Sequence, residues 1–183
     1  MQVIEKTDFE GIYKIRHKRF KDDRGLFLEV FRTQELKEFG FNGVLQQNLS
    51  ISNKGVIRGL HLQMSPYEQS KIITVLSGAI YDIILDLRRD SKTYLKCLKI
   101  NLDMDSEYSI LITKGFAHGF QALEDETTLL YSVDNIYSPE FERGINIFSK
   151  EINIKFPIED KIISEKDEGL PELTEFLEIY EKK

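Results

Sequence analysis

Lys71-Ile-Ile-Thr-Val-Leu-Ser-Gly-Ala-Ile-Tyr-Asp-Ile-Ile-Leu-Asp-Leu87 is the stretch on which the fold turns. Two runs rich in β-branched residues, Lys71 to Leu76 and Ala79 to Leu87, flank Ser77-Gly78, a pair of the kind that closes a tight hairpin. Side chains alternate along a strand, so Asp82 and Asp86 share one face of the second run. Working outward, similar runs recur at Leu95 to Asn101, Tyr108 to Thr113, Phe120 to Leu123 and Thr128 to Val133, between polar or Gly-bearing turns. Short strands at this spacing read as an all-β sandwich or barrel. Helical periods are few. Thr33 is placed to cap a turn through Glu35, Leu36 and Phe39 that Gly40 ends. Pro171 opens a second helix over Glu172 to Glu181, with Leu173, Phe176, Leu177 and Tyr180 on the face that packs on the sheet.

The 183 residues are 41% hydrophobic, and no linker rich in Pro, Gly or Ser divides them, so one domain over 1–183 is expected. Lys plus Arg number 25 against 31 Asp plus Glu, a formal net charge of −6. That balance argues against nucleic acid or a membrane surface as partner, and an anionic ligand has to be met by local cations. The lone Cys97 excludes a disulfide framework and a Cys-rich zinc site. Met1 to Asp8 has no basic head followed by an apolar run, and no stretch approaches the roughly 18 apolar residues of a spanning helix. A cytoplasmic protein is expected. Dinucleotide, P-loop, serine-hydrolase and paired C-x-x-C motifs are absent from the sequence.

Three histidines remain to carry chemistry. His17 lies between Arg16 and Lys18 and reads as surface, whereas His61 and His118 sit in Gly-bearing segments. The spacing Gly55-x5-His61-x-Gln63-x4-Glu68, with Gly115-x2-His118 later, resembles the two motifs of the cupin superfamily, whose barrels often bind a metal. Gln63 stands where the metal-binding pattern wants a second histidine, so His61, Glu68 and His118 alone would form an unusual ligand set. No metal and no cofactor is expected.

Longer stretches narrow the likeness. Phe20-Lys-Asp-Asp-Arg-Gly-Leu-Phe-Leu-Glu29, Gln46-Gln-Asn-Leu-Ser-Ile-Ser52, Gly55-Val-Ile-Arg-Gly-Leu-His-Leu-Gln63, Asp86-Leu-Arg-Arg-Asp-Ser91, Lys114-Gly-Phe-Ala-His-Gly-Phe120 and Tyr131-Ser-Val-Asp-Asn-Ile-Tyr-Ser-Pro-Glu-Phe-Glu-Arg-Gly144 together resemble the dTDP-4-dehydrorhamnose 3,5-epimerase family. The likeness covers nearly the whole chain. It implies a cupin-type double-stranded β-helix, a jelly-roll barrel with short flanking helices including one at the C-terminus. It also implies inversion at C3 and C5 of a nucleotide-linked 4-keto-6-deoxyhexose through enolates.

Such chemistry sets its own demands. Moving a proton from beside a ketone to imidazole is uphill by more than about ten pK units, or over roughly 14 kcal/mol. General acid–base catalysis contributes about 10²–10⁴-fold, so donors or cations must also meet the developing enolate oxygen. His61 suits the base because its pKa lies near neutrality in the unperturbed state. By the resemblance Asp167 stands behind it, Tyr131 donates the proton from the opposite ring face, and Lys71 lies near the keto oxygen. Arg24 and Arg58 match phosphate or nucleotide contacts, for which guanidinium groups are suited. Glu29, Gln46, Gln47 and Asn48 would bind nucleotide, Tyr137 would stack on the base, Glu142 and Lys166 would hold substrate, and His118 would sit against the sugar. Ser132 departs from relatives that carry Lys there. The resemblance further implies a homodimer that exchanges N-terminal strands, with Arg24 and Glu29 reaching the neighbour's site.

The same machinery is compatible with C3-only or C5-only epimerases of GDP-, CDP- or dTDP-linked 4-keto sugars, deoxyhexose or heptose, and with a 3,4-ketoisomerase. A metal-dependent cupin oxygenase and a non-catalytic sugar-nucleotide binding module are the other readings that the residues admit.

Overall fold

The computed structural model describes residues 3–180. Eight strands build a jelly-roll barrel: β5 (Gln46–Ser52), β6 (Ile57–Gln63), β7 (Lys71–Ser77), β8 (Ala79–Asp86), β9 (Cys97–Asp103), β10 (Tyr108–Ile112), β11 (Phe116–Ala122) and β12 (Thr127–Val133). With β1 (Ile4–Lys6), β2 (Ile12–Arg16) and β13 (Glu142–Gly144) they form two sheets, ordered β1-β2-β10-β7-β12-β5 and β13-β6-β11-β8-β9. A separate hairpin joins β3 (Lys18–Asp22) to β4 (Gly25–Glu29).

The expected hairpin between the two central runs does not exist. β7 pairs with β10 and β12, and β8 pairs with β9 and β11, so Gly78 carries the chain from one sheet to the other. Each run is apolar on both faces, as a central strand requires, and periodicity alone does not say which strand lies alongside. Gly78 has φ 73°, and a Cβ there would lie 2.4 Å from the Thr127 hydroxyl, so the turn admits no side chain.

Alternation divides the apolar residues among three layers. Ile73, Ile80, Ile84, Ile110, Phe116, Phe120 and Leu129 fill the space between the sheets. Ile72, Leu111 and Ile15 face outward onto Leu36 of α1 (Thr33–Leu36) and onto Phe41. Ile83, Leu85, Leu60 and Leu62 face the other way, onto Leu173 and Phe176 of α3 (Leu173–Tyr180). Burying each such side chain contributes about 1.5–3 kcal/mol, which fixes the rotation of both sheets about their shared core.

Several boundaries differ from expectation. Thr33 is the first residue of α1, which begins from an extended Arg32 and continues into a 3-10 turn at Lys37–Phe39 before Gly40. Leu95 has φ 59°, so the strand expected from there begins at Cys97. The run expected from Phe120 begins at Phe116, with all seven residues of β11 buried. Pro171 precedes α3 by two residues, and Glu181 lies outside the described residues. A short helix α2 (Glu165–Glu168), capped by Ser164, was not foreseen.

Candidate active site

One end of the barrel opens into a cavity of about 370 Å³ whose walls carry Asn48, Arg58, His61, Lys71, His118, Tyr131, Lys166 and Asp167. Both sheets contribute. His61 and His118 are register partners on β6 and β11, while Lys71 and Tyr131 come from β7 and β12 of the facing sheet.

Local geometry in β6 aims His61 inward. Gly59 has φ 100°, and a Cβ there would lie 2.5 Å from the His118 carbonyl oxygen and 2.7 Å from the Gly119 Cα. Glycine thus lets β6 and β11 close together between Arg58 and His61. The Gly59 N–H donates to Asp167 Oδ2 at 3.0 Å, and Asp167 Oδ1 bonds His61 Nε2 at 2.8 Å. Asp167 is placed by α2, where the Ser164 hydroxyl accepts from the Asp167 N–H at 3.2 Å. Burial works against the Asp167 charge, but the bonds from His61 and Gly59 outweigh it and leave the carboxyl below the usual range. A carboxylate that stays ionised fixes one ring nitrogen of His61 and so sets the orientation of the imidazole, which is what a base needs behind it.

Tyr131 stands opposite. Its hydroxyl lies 3.4 Å from Ser50 Oγ, and its ring meets His118 edge to face with centroids 6.3 Å apart. Burial pushes the phenol up to about 12, partly countered by Ser50, so it keeps its proton at neutral pH and can deliver it to a carbanion. Burial also pulls Lys71 down to about 8, with Asp82 and Glu142 holding it from falling further. His118 Nε2 bonds Asp82 Oδ1 at 2.7 Å. Arg58 Nε donates to Ser52 Oγ at 3.2 Å, so its guanidinium lies along the cavity wall.

At the rim, Glu142 Oε2 accepts from Lys166 Nζ at 2.6 Å and from the Tyr137 hydroxyl at 2.9 Å. Burial raises Glu142, but those two bonds win and its carboxyl sits below the ordinary value. Gln46 links this rim to β5, accepting the Tyr137 N–H at 2.8 Å and donating to Asn48 Oδ1 at 2.8 Å. Gln47 points to the other face of the sheet and donates to Ser132 Oγ at 3.0 Å. Arg24 and Glu29 lie on the β3–β4 hairpin, away from the cavity. Arg24 pairs with Asp22 at 2.6 Å and Glu29 with Arg32 at 2.9 Å. Gln63 does not face the cavity either. Its amide donates to the carbonyls of Tyr67 at 2.6 Å and Ile136 at 3.0 Å and accepts the Ser138 N–H, which fastens the loop before β13. Glu68 lines a different recess.

From the sequence, Asp82 shows only as the partner of Asp86 on one strand face, and Ser50 and Ser164 carry no signal of a role. The readable signal for Asp82 was a charged residue on the inward face of an otherwise apolar run.

A family model described as dTDP-4-dehydrorhamnose 3,5-epimerase matches residues 6–175. The dTDP-4-dehydrorhamnose 3,5-epimerase of Shigella flexneri is 39% identical over 169 residues, covering 91% of this chain and 93% of that protein. The Bacillus anthracis enzyme of the same description, solved with TDP and PPi bound, superposes with a TM-score of 0.89 at 39% identity, over 94% of this chain and 100% of that one. A Legionella pneumophila dTDP-6-deoxy-D-glucose-3,5-epimerase in complex with dTDP-4-keto-L-rhamnose gives a TM-score of 0.88 at 33% identity, over 95% and 94% of the two chains.

Proposed function

The chain belongs to the dTDP-4-dehydrorhamnose 3,5-epimerase family of cupin-type isomerases, and from that premise we propose how its own residues carry out the epimerisation. The reaction inverts carbons beside the ketone of a dTDP-linked 4-keto-6-deoxyhexose by removing and returning a proton through an enolate.

His61, oriented by Asp167, takes the proton. Tyr131 returns one from the facing sheet, and Lys71 with His118 meets the oxygen where negative charge develops. Arg58 and Lys166, with Asn48 and Gln46 at the mouth, hold the nucleotide diphosphate, and Tyr137 covers the base. The observation that carries this reading is that His61 and Tyr131, contributed by opposite sheets, line one cavity. A base and an acid on opposite sides of a sugar ring are what inversion requires, since the proton must leave one face and arrive at the other.

The working form in this reading is a cytoplasmic homodimer of single-domain subunits that needs no metal or cofactor, with its product entering L-rhamnose synthesis for lipopolysaccharide or capsule. A second copy is favoured by Phe20, Leu26 and Phe27, exposed on the hairpin that also bears Arg24 and Glu29, and by Leu49 and Ile51, exposed on β5 at the sheet edge. The experiment is carbon and proton NMR of the product made from dTDP-4-dehydro-6-deoxy-D-glucose. A 4-keto product of L-configuration supports the reading, and a 3-keto product or unchanged substrate overturns it.

A further inference from the structure

The cavity contains a second carboxylate–imidazole pair. Asp82 is fully buried on the inward face of β8, and it reaches diagonally across to His118 on β11, with Oδ1 and Nε2 2.7 Å apart. The other carboxylate oxygen, Oδ2, is buried and has no hydrogen-bond partner among the described residues. Removing a carboxylate from water costs several kcal/mol, and one hydrogen bond to an imidazole does not recover it. A Ser or Asn could satisfy the same ring nitrogen without that cost. Packing therefore leaves a carboxyl at position 82, with one oxygen unpartnered, unexplained.

Its surroundings supply a reason. His118 lines the cavity beside Tyr131, and Lys71, across the barrel on β7, feels Asp82 as the foremost charge opposing the effect of its own burial. We propose that Asp82 is a positioning residue for the epimerisation, acting through His118 and Lys71. Its carboxylate fixes the imidazole by Nε2 and supplies the counter-charge for the lysine, so the donors for the enolate oxygen are in place before the proton leaves carbon. Donors held ready in this way need no reorganisation as charge develops, which is the source of electrostatic catalysis in an enclosed site. The inference rests on the enolate reading of the cavity.

The test is Asp82→Asn, which keeps shape and loses charge, with Asp82→Ala as a smaller alternative that leaves room for formate. Turnover of either variant falls about 10²-fold, the scale of one positioned acid–base group, while dTDP affinity stays within about twofold of wild type. Added formate restores about tenfold of the lost rate to Asp82→Ala and leaves wild type unchanged. A residue serving packing alone would not give that rescue. Turnover within threefold of wild type in both variants overturns the proposal. Parallel loss of dTDP binding, absence of formate rescue, or failure of both variants to fold assigns Asp82 to the fold and overturns it too. Failure of wild type itself to exchange the substrate's carbon-bound hydrogens would instead overturn the epimerase reading, so the two failures are separable.

Discussion

Asp167 holds His61 from 106 positions further along the chain, with Oδ1 at 2.8 Å from the imidazole Nε2 and Oδ2 accepting the Gly59 N–H at 3.0 Å. One carboxylate thus fixes both the base and the backbone bend that aims it, and α2 sets the carboxylate. Because the Asp167 carboxyl lies below its usual range, the carboxylate behind His61 keeps its charge through neutral and mildly acid pH. Asp167→Asn leaves a neutral side chain in place of the carboxylate that orients His61, and kcat falls about 10²–10⁴-fold with dTDP binding retained. Steady-state kinetics beside nucleotide titration measure this. Undiminished kcat would remove Asp167 from the base.

Tyr131→Phe separates the two halves of the reaction. His61 still takes a proton and returns it from the same face, so deuterium enters the substrate without change of configuration. Inversion falls about 10²–10⁴-fold while exchange survives. Proton NMR in D2O reads both at once, and inversion at the wild-type rate would exclude the phenol as donor.

Lys71 sets an alkaline limb. Its pKa of about 8 means that the ammonium is lost as pH rises through that value, so kcat falls above about pH 8. Denaturation does not account for the fall. Between about 8 and the ordinary 10.5 the unfolded chain binds the extra proton, so the contribution of Lys71 to stability rises with pH in that window. Lys71→Gln lowers kcat and abolishes the limb, as a pH–rate profile run with thermal melts would show. A limb unmoved in Lys71→Gln would contradict this.

Acid sensitivity arises elsewhere. Asp86 is fully buried, and although burial opposes its charge, bonds from Arg88, Ser91 and Thr93 depress it to about 2. A carboxyl lowered by nearly two units contributes about 2 kcal/mol that is present above the unfolded value near 4 and is lost as pH falls toward 2. Urea unfolding across that range shows a steep acid limb in wild type and a flatter one in Asp86→Asn. Equal slopes would place the acid response in other carboxyls.

How much of this was legible varied with the physics of each segment. β7, β8, β10 and β12 could be read from residues, because a strand buried on both faces is written in Ile, Leu and Val whatever its neighbours. Their pairing could not, since Ser77-Gly78 serves a crossing between sheets as readily as a hairpin. β5 and β6 escaped notice because they carry function. β5 turns polar Asn48 and Ser50 toward the cavity side and exposes apolar Leu49 and Ile51, the reverse of the usual alternation, and Gly59 interrupts β6 beside His61. Resemblance named His61, Tyr131 and Lys71, and the fold brings all three to one cavity, whereas Gln47, Arg24 and Glu29 point elsewhere within the single chain. Asp82 is legible as a charged residue within an apolar run, but its role is not, because full burial and an unpartnered oxygen are properties of the folded chain.

The most direct test follows deuterium from D2O into dTDP-4-dehydro-6-deoxy-D-glucose, comparing wild type with His61→Asn. Label entering at C3 and C5 with wild type, and at neither carbon with a His61→Asn variant that still binds dTDP, is the predicted result. No label with well-folded wild type, or undiminished label after loss of the imidazole, would contradict it.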